Sequence, residues 1–210
     1  MAINGSGNHL ITCIEALETL YGDPNPNSLL KEIEHVSTHY RAFIETAPFV
    51  VLATSGPEGL DCSPRGDAPG FVRVQDEKTL LIPDRPGNNR TDSLRNIIHD
   101  PRIALLFLIP GVGETLRVNG RAAIAVDPAL LESFAVNGKP ARSVLTVAVE
   151  SVYFQCSKAL VRSQLWDPAR QIPHSALPST GTILAALTDG KAGGEAYDRA
   201  LPERVKAQLY

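Results

Sequence analysis

The sequence predicts a mainly β protein that carries helices towards both ends of the chain. Short runs rich in β-branched and other apolar residues alternate with turns containing Gly, Pro and Asp, which is typical of strands joined by tight connections. Such short connections favour antiparallel pairing and a barrel-like all-β core. The predicted strands cover residues 49–54, 60–65, 71–74, 79–82, 102–109, 115–126 and 142–155.

The segment before the first strand predicts helices. After the loose residues 4–8, an apolar patch at residues 10–20 indicates a short helix, which a turn-rich connector follows. From residue 28 onward, apolar residues recur at spacings of three and four, which predicts one amphipathic helix of about five turns. The apolar face of this helix would consist of Leu29, Ile33, Val36, Tyr40, Phe43 and Ile44.

Two histidines on this predicted helix are spaced as metal ligands can be. His35 and His39 lie four residues apart and would share one helix face. Glu34 precedes the first histidine, whereas the zinc motif H-E-x-x-H needs the glutamate after it. We therefore predict no metal site and interpret both residues as solvated or packed helix histidines.

Further elements follow in the second half of the chain. The run after Glu114 alternates apolar residues with Arg117, Asn119 and Arg121, so one face should pack while the other presents hydrogen-bond donors. Capping residues mark helix starts at Asp127 and Ser157. The predicted helices cover residues 91–98, 127–134, 157–166, 180–188 and 196–210, with Pro202 beginning the last helical turns.

The composition is that of an ordinary globular protein. Of 210 residues, 43% are hydrophobic and 20% are charged, and the formal net charge of −3 gives no general attraction to nucleic acid or to an anionic membrane. The three cysteines, Cys13, Cys62 and Cys156, fit neither a disulfide framework nor a paired-thiolate zinc site. No secretory signal or membrane-spanning run is evident, so we expect a cytoplasmic protein.

Two polar, glycine-bearing clusters stand beside apolar runs in the stretch 60–90. The first is Ser63-Pro64-Arg65-Gly66-Asp67, and the second covers residues 83–90 and includes Asn88, Asn89 and Arg90. Glycine permits close backbone approach, and guanidinium groups suit phosphate geometry, so the clusters predict an anion site near a helix N-terminus. The alternative is that both are ordinary turns, since the same residue types dominate turns. Neither cluster fits the phosphate-loop or dinucleotide glycine patterns.

The order of these motifs resembles the flavin-binding split barrels related to pyridoxamine 5'-phosphate oxidase. The resemblance includes both clusters, the short helix after Arg90, the run Leu116-Arg117-Val118-Asn119-Gly120 and the segment from Cys156 to Trp166, and it covers roughly residues 30 to 170. It implies an FMN at the interface of a homodimer in which both subunits contribute to each site. The residues that it assigns to the cofactor are Ser63, Arg65, Gly66, Asn88, Asn89, Arg90, Arg117 and Asn119, with Lys158 and Arg162 completing the partner's site.

This resemblance implies a split-barrel domain at residues 1–170, N-terminal helices included, and a C-terminal helical extension at 171–210 packed on the same domain. The expected activity is FMN-dependent oxidation or reduction of an unidentified small molecule, with NAD(P)H as a candidate electron donor. Authentic pyridoxamine phosphate oxidases end in an arginine-containing segment, whereas this sequence ends Val205-Lys206-Ala207-Gln208-Leu209-Tyr210, so vitamin B6 oxidation is not expected.

Two alternatives stay open. The same barrel could be a non-enzymatic flavin or haem carrier, for which His99 and His174 are the candidate axial ligands. A cofactor-free barrel would follow if both clusters were only turns. No G-x-S-x-G elbow or nucleophile–base pair indicates hydrolysis, so no catalytic side chain is assigned.

Overall fold

The computed structural model describes residues 9–210, so the loose segment predicted at 4–8 lies outside the described residues. The chain divides into two compact units, Met1–Glu32 and Ile33–Tyr210. The described part of the first unit contains helices α1 (Ile14–Tyr21) and α2 (Pro26–Leu30). Helix α1 confirms the predicted short helix, although it begins four residues later than the apolar patch.

The second unit is built on one antiparallel sheet of seven strands. Its strand order is β2-β1-β5-β6-β7-β4-β3, so β2 and β3 form the two edges. All seven predicted strands are confirmed, with ends shifted by one or two residues. The strands are β1 (Phe49–Gly56), β2 (Gly59–Gly66), β3 (Arg73–Asp76), β4 (Thr79–Asp84), β5 (Arg102–Leu108), β6 (Thr115–Ala125) and β7 (Ser143–Gln155).

Six helices accompany this sheet. They are α3 (Thr38–Thr46), α4 (Asp92–His99), α5 (Pro128–Ser133), α6 (Lys158–Ser163), α7 (Thr180–Leu187) and α8 (Gly194–Gln208). The predicted fold class, a mainly β split barrel with helices towards both ends of the chain, is therefore confirmed. No helix among the described residues is long and apolar enough to cross a membrane.

The core lies where the inward side chains of the strands meet helices α3 and α4. Fully buried residues alternate along β1 and β6, as in Val50 and Leu52 or Leu116 and Val118. Each such side chain contributes roughly 1.5–3 kcal/mol of burial free energy. The predicted alternation of the sixth strand holds as far as Ile124, whereas Val126 lies beyond the strand and is 66% exposed.

The prediction of a single long helix from residue 28 is wrong. Helix α2 ends at Leu30 and α3 begins only at Thr38, with the Ser37 hydroxyl accepting a bond from the Tyr40 N–H. Between them, Ile33 exchanges two main-chain hydrogen bonds with Val152 of β7, at 3.1 and 2.8 Å. These long-range bonds need an extended backbone. His35 consequently precedes α3, and the two histidines do not share a helix face.

Three local details also differ from the prediction. Ser157 precedes α6 without a side-chain capping bond, while Asp127 caps α5 as predicted by accepting from the Leu130 N–H at 2.9 Å. Helix α6 ends at Ser163, before Trp166. Pro202 does not begin a helical segment, because α8 runs through it without interruption.

Two ion pairs cross the open side of the sheet. Arg65, at the end of β2, pairs with Asp84 at the end of β4. Just beyond the ends of the same two strands, Arg85 pairs with Asp67 at 3.0 Å. Strands β2 and β4 are not neighbours in the sheet, so these pairs connect its two halves where the barrel is split. This split positions the candidate site.

Candidate functional site

A cavity of about 370 Å³ lies where the ends of β2 and β4 meet the turn that leads into α4. The turn follows β4 directly, so the two clusters predicted from the sequence come together across the split. Five of the predicted residues line this cavity together: Ser63, Arg65, Asn88, Asn89 and Arg90. Gly66 instead lines a neighbouring cavity of about 180 Å³, which shares Pro64, Arg65 and Arg85 with the first.

The turn before α4 is held by a hydrogen bond from its backbone to a side chain, and the space beside it is open. The Asn88 side-chain oxygen accepts a hydrogen bond from the Arg90 N–H at 2.9 Å, which is an Asx turn. Asn89 takes a left-handed conformation with φ of 61°, which asparagine tolerates better than most residues. A Cβ added at Gly87 would meet no atom within 4 Å, so the space beside this turn is open to a ligand.

Arg65 connects the cavity to a buried polar network. Its guanidinium pairs with Asp84 and approaches the Ser93 hydroxyl at 3.5 Å, and Ser93 in turn donates to Asp61. Ser93 itself is buried on the first turn of α4. The Arg65 Nε is the one buried side-chain nitrogen or oxygen of the described residues that has no hydrogen-bond partner. Arg65 therefore has one buried donor that no group of the described residues uses.

Arg142 lines the cavity, although the sequence did not indicate it. It directly precedes β7, and the pairing of Asp84 with Ser143 brings it to the cavity. Its main-chain N–H donates to the Asp84 carbonyl at 3.0 Å, and its guanidinium donates to the Asn89 side-chain oxygen. No carboxylate among the described residues forms an ion pair with Arg142, so its positive charge is available to a ligand.

The side chains that line the cavity carry more positive than negative charge. Four guanidinium groups, those of Arg65, Arg85, Arg90 and Arg142, line it against the single carboxylate of Asp84. Arg90 also pairs with Asp92 outside the lining, and the hydrogen bond that its Nε donates to this carboxylate raises the pKa of the arginine. Guanidinium groups suit the geometry of anionic oxygens, so the cavity is suited to a polyanionic group.

Asp67 balances part of this charge from the neighbouring cavity. Burial acts to raise the pKa of its carboxyl, but hydrogen bonds from Tyr210, the Ala68 N–H and Arg85 outweigh it and hold the pKa below its usual value. The Asp67 side chain is only 6% exposed. It is therefore a buried carboxylate that stays ionised because three donors surround it.

The other four predicted residues line neither cavity. Arg117 and Asn119 lie on β6, where Arg117 donates to the Tyr153 hydroxyl at 3.1 Å and Asn119 donates to the Ser151 hydroxyl at 3.2 Å. Lys158 and Arg162 lie at the two ends of α6. Their assignment to a flavin site stays a prediction that depends on a second subunit.

The two candidate haem ligands, His99 and His174, do not line the cavity of about 370 Å³. His99 ends α4 and lines a separate cavity of about 340 Å³ that meets the first one at Arg90. His174 lies in a short turn of the connector after α6. Among the described residues, no group of three or more His, Cys, Asp or Glu side chains could hold a metal ion.

Comparison with known proteins gives a family match. A family model described as pyridoxamine 5'-phosphate oxidase matches residues 36–156, which is more than half of the 210 residues. This range contains both clusters, the split and Arg142. No curated protein compared with the chain matches it.

Several solved structures are similar at low identity. HupZ from Group A Streptococcus is 19% identical over 58% of this chain and 95% of its own, with a TM-score of 0.47. General Stress Protein 26 from Bacillus anthracis is 15% identical over 54% of this chain and 88% of its own, with a TM-score of 0.42. An FMN-binding protein from Syntrophomonas wolfei is 10% identical over 67% of this chain and 95% of its own, with a TM-score of 0.41.

Proposed function

Because the chain belongs to the pyridoxamine 5'-phosphate oxidase family, we propose that it is an FMN-dependent oxidoreductase that acts on a small molecule. The observation that carries the proposal is the cavity at the split, where four arginines face one aspartate beside an asparagine-rich turn. We propose further that the flavin lies at a homodimer interface. The three free cysteines are all exposed, which fits a reducing compartment, and we propose the cytoplasm.

The residues of the cavity fit the phosphate end of FMN. A phosphate monoester carries a charge of about −1.5 to −2 at neutral pH and accepts several hydrogen bonds. Arg90 and Arg142 would supply charge-assisted bonds from the turn side, and the Arg65 guanidinium would supply them from the β2 side. The open space at Gly87 leaves room for the phosphate against the backbone.

The flavin ring, when bound, would supply the electron or hydride chemistry, so the chain itself needs no nucleophile. The role of the chain is to bind and orient the cofactor and to set its electrostatics. Arg117 is proposed to lie near the pyrimidine edge of the ring, where a guanidinium would stabilise anionic reduced flavin. Asn119 would donate a hydrogen bond on the same strand, and Lys158 and Arg162 would reach the site of the partner subunit.

Retention of FMN tests the proposal directly. The purified protein would be soaked with FMN and desalted, and its visible absorbance would be compared with that of Arg65→Ala, Arg90→Ala and Arg142→Ala. A hydrogen bond to a charged group contributes about 1.5–3 kcal/mol, so each variant should bind FMN roughly 10- to 150-fold more weakly. Arg199→Ala is the matched control, because Arg199 is an exposed arginine of α8.

The pattern of FMN retention distinguishes a flavin site at this cavity from ordinary turns without a ligand. Retained FMN in wild type and in Arg199→Ala, with loss in the three cavity variants, supports the proposal. Wild type that retains no FMN would contradict it and would favour the haem or cofactor-free alternatives. Equal retention in all five proteins would show that the flavin binds elsewhere.

Anaerobic reduction distinguishes an oxidoreductase from a carrier. The FMN-loaded protein would be mixed with NADH or NADPH, and bleaching of the flavin absorbance would be followed before air is admitted. Bleaching and recovery in air are expected of an oxidoreductase. A flavin that neither nicotinamide reduces would favour the carrier alternative on the same barrel.

A further inference from the structure

Tyr210 reaches the wall of the proposed flavin site from the C-terminal helices. Its hydroxyl donates to one oxygen of the Asp67 carboxylate at 2.6 Å. Its ring lies beneath the Arg85 guanidinium, 5.6 Å from that group to the ring centroid. A third contact comes from Lys139, whose ammonium group donates to the Tyr210 main-chain oxygen. Three side chains from separate parts of the barrel therefore hold this one residue.

Asp67 connects Tyr210 to Arg85, because both residues donate hydrogen bonds to its carboxylate. The Tyr210 hydroxyl occupies one carboxylate oxygen, while the Arg85 Nε donates to the other oxygen at 3.0 Å. Arg85 also donates through Nη1 to the Phe134 carbonyl at 2.7 Å. The Arg85 side chain is 17% exposed and lines both cavities of the split. Its position thus determines the shape of the wall that the two cavities share.

Helices α7 and α8, which precede Tyr210, are joined by hydrogen bonds. The Asp198 carboxylate of α8 accepts bonds from the Gly181 N–H at 2.7 Å and from the Ser179 hydroxyl at 2.5 Å, both at the start of α7. Gly193 lies so close to α7 that an added Cβ would be 2.4 Å from the Gly181 carbonyl oxygen. Helix α8 ends only two residues before Tyr210, so the position of the helix pair determines the position of the tyrosine.

We propose that Tyr210 is a positioning residue of the flavin site, which acts through Asp67 to hold Arg85 in the wall between the two cavities. This inference rests on the proposed function. Without the phenol, Asp67 keeps the Ala68 N–H as a donor on the same oxygen, at 2.8 Å, so the wall loosens without collapsing. A looser wall should release bound FMN faster and admit solvent to the flavin.

The test compares Tyr210→Phe with Tyr197→Phe. Tyr197 lies on the same helix pair, and its ring stacks against Arg204 at 4.2 Å, so its substitution removes a hydroxyl without touching the site. The release of FMN would be followed by the recovery of free-flavin fluorescence after dilution, and iodide quenching would report solvent access. Tyr210→Phe should release FMN about three- to tenfold faster and show stronger quenching than Tyr197→Phe.

A second variant shows whether Arg85 carries the effect. In an Arg85→Lys background the contacts of Nε and Nη2 to one oxygen of Asp67 are lost, so adding Tyr210→Phe should accelerate release much less than it does in wild type. Full additivity would overturn the coupling through Asp67 and, with it, the proposal.

The remaining outcomes are also decisive. If Tyr210→Phe releases FMN at the rate of Tyr197→Phe, the inference fails while the proposed flavin site stands. If it only lowers the melting temperature, the phenol stabilises the fold alone and the inference fails in the same way. A wild type that binds no FMN overturns both the proposed function and this inference.

Discussion

Asp67 shows how a single carboxylate is kept charged inside the split. Its side chain is almost buried, yet Tyr210, Ala68 and Arg85 all donate to it. A buried carboxylate without such donors would take up a proton, since desolvation disfavours its charged form. The donors reverse that tendency, and the pKa of the Asp67 carboxyl falls below its ordinary value. The ionised form is the one that holds Arg85.

Acid should therefore weaken the fold through Asp67. Because the pKa is lower in the folded than in the unfolded chain, the stabilisation is complete above the unfolded value of 3.8 and is lost as the pH falls through the lower folded value. We expect Asp67→Asn to be less stable than wild type at neutral pH and to lose less stability on acidification. Urea unfolding at a series of acidic pH values measures both effects.

Glu203→Gln is the control for this pH dependence. Glu203 lies on the exposed side of α8 and forms no ion pair within the part of the chain that the structure describes. Its substitution should leave the loss of stability below pH 4 unchanged. A pH profile of Asp67→Asn that parallels that of wild type would show that the carboxylate is not held ionised by its three donors.

At the scale of single elements, β6 depends on a close approach of two backbones. The register between β6 and β7 shifts between Asn119 and Gly120, which is a β-bulge. At Gly120 an added Cβ would lie 2.2 Å from the Ala148 carbonyl oxygen of β7. That oxygen belongs to the backbone of a central strand and cannot move aside. The bulge therefore requires glycine for space, not for an unusual φ.

Gly120→Ala should be strongly destabilising. Overpacking a core commonly costs about 1–3 kcal/mol, and a clash with main chain should fall at or above the upper end of that range. The free energy of unfolding in urea would be compared with that of Gly87→Ala, where an added methyl group meets nothing within 4 Å. If both variants unfold at the same urea concentration, the backbones of β6 and β7 do not approach closely enough at Gly120 to exclude a methyl group.

Local sequence patterns predicted the strands well because alternation and turn residues act within a few positions. The same patterns failed between residues 28 and 37, where apolar spacing continued but the Ile33 backbone pairs with Val152. A periodicity does not reveal a bond to a residue more than a hundred positions away. The contiguous turn Asn88-Asn89-Arg90 was predicted for the site for the same reason that the strands were: its signal is local.

At the scale of the whole molecule, the site is produced by long-range pairing that no local motif encodes. Arg142 bonds to Asn89 across 53 positions, and Tyr210 bonds to Asp67 across 143. Predicting Arg142 would have needed the pairing of β4 with β7, which places Ser143 opposite Asp84. The two clusters were recognisable separately, but the ion pairs that join them across the split were not.

The Arg65–Asp84 pair should serve both the fold and the ligand, and the two roles can be separated. The side chains are only 20% and 15% exposed, so removing one partner leaves a poorly solvated charge. Breaking a fully buried pair costs about 3–5 kcal/mol, and we expect about 1–3 kcal/mol for Asp84→Asn at this partial burial. The exposed pair of Arg41 and Glu45 is the control, and Glu45→Gln should change stability by about 0.5 kcal/mol or less.

Replacing both partners should restore much of the stability but not the binding. In Arg65→Met with Asp84→Leu no unpaired charge remains, and apolar replacements of ion pairs are often neutral for folding. We expect the double variant to unfold at a higher urea concentration than Asp84→Asn and still to lose FMN on desalting, because the Arg65 donors are gone. A double variant that retains FMN as wild type does would remove Arg65 from the proposed site, and one less stable than Asp84→Asn would mean that the pair itself holds the split together.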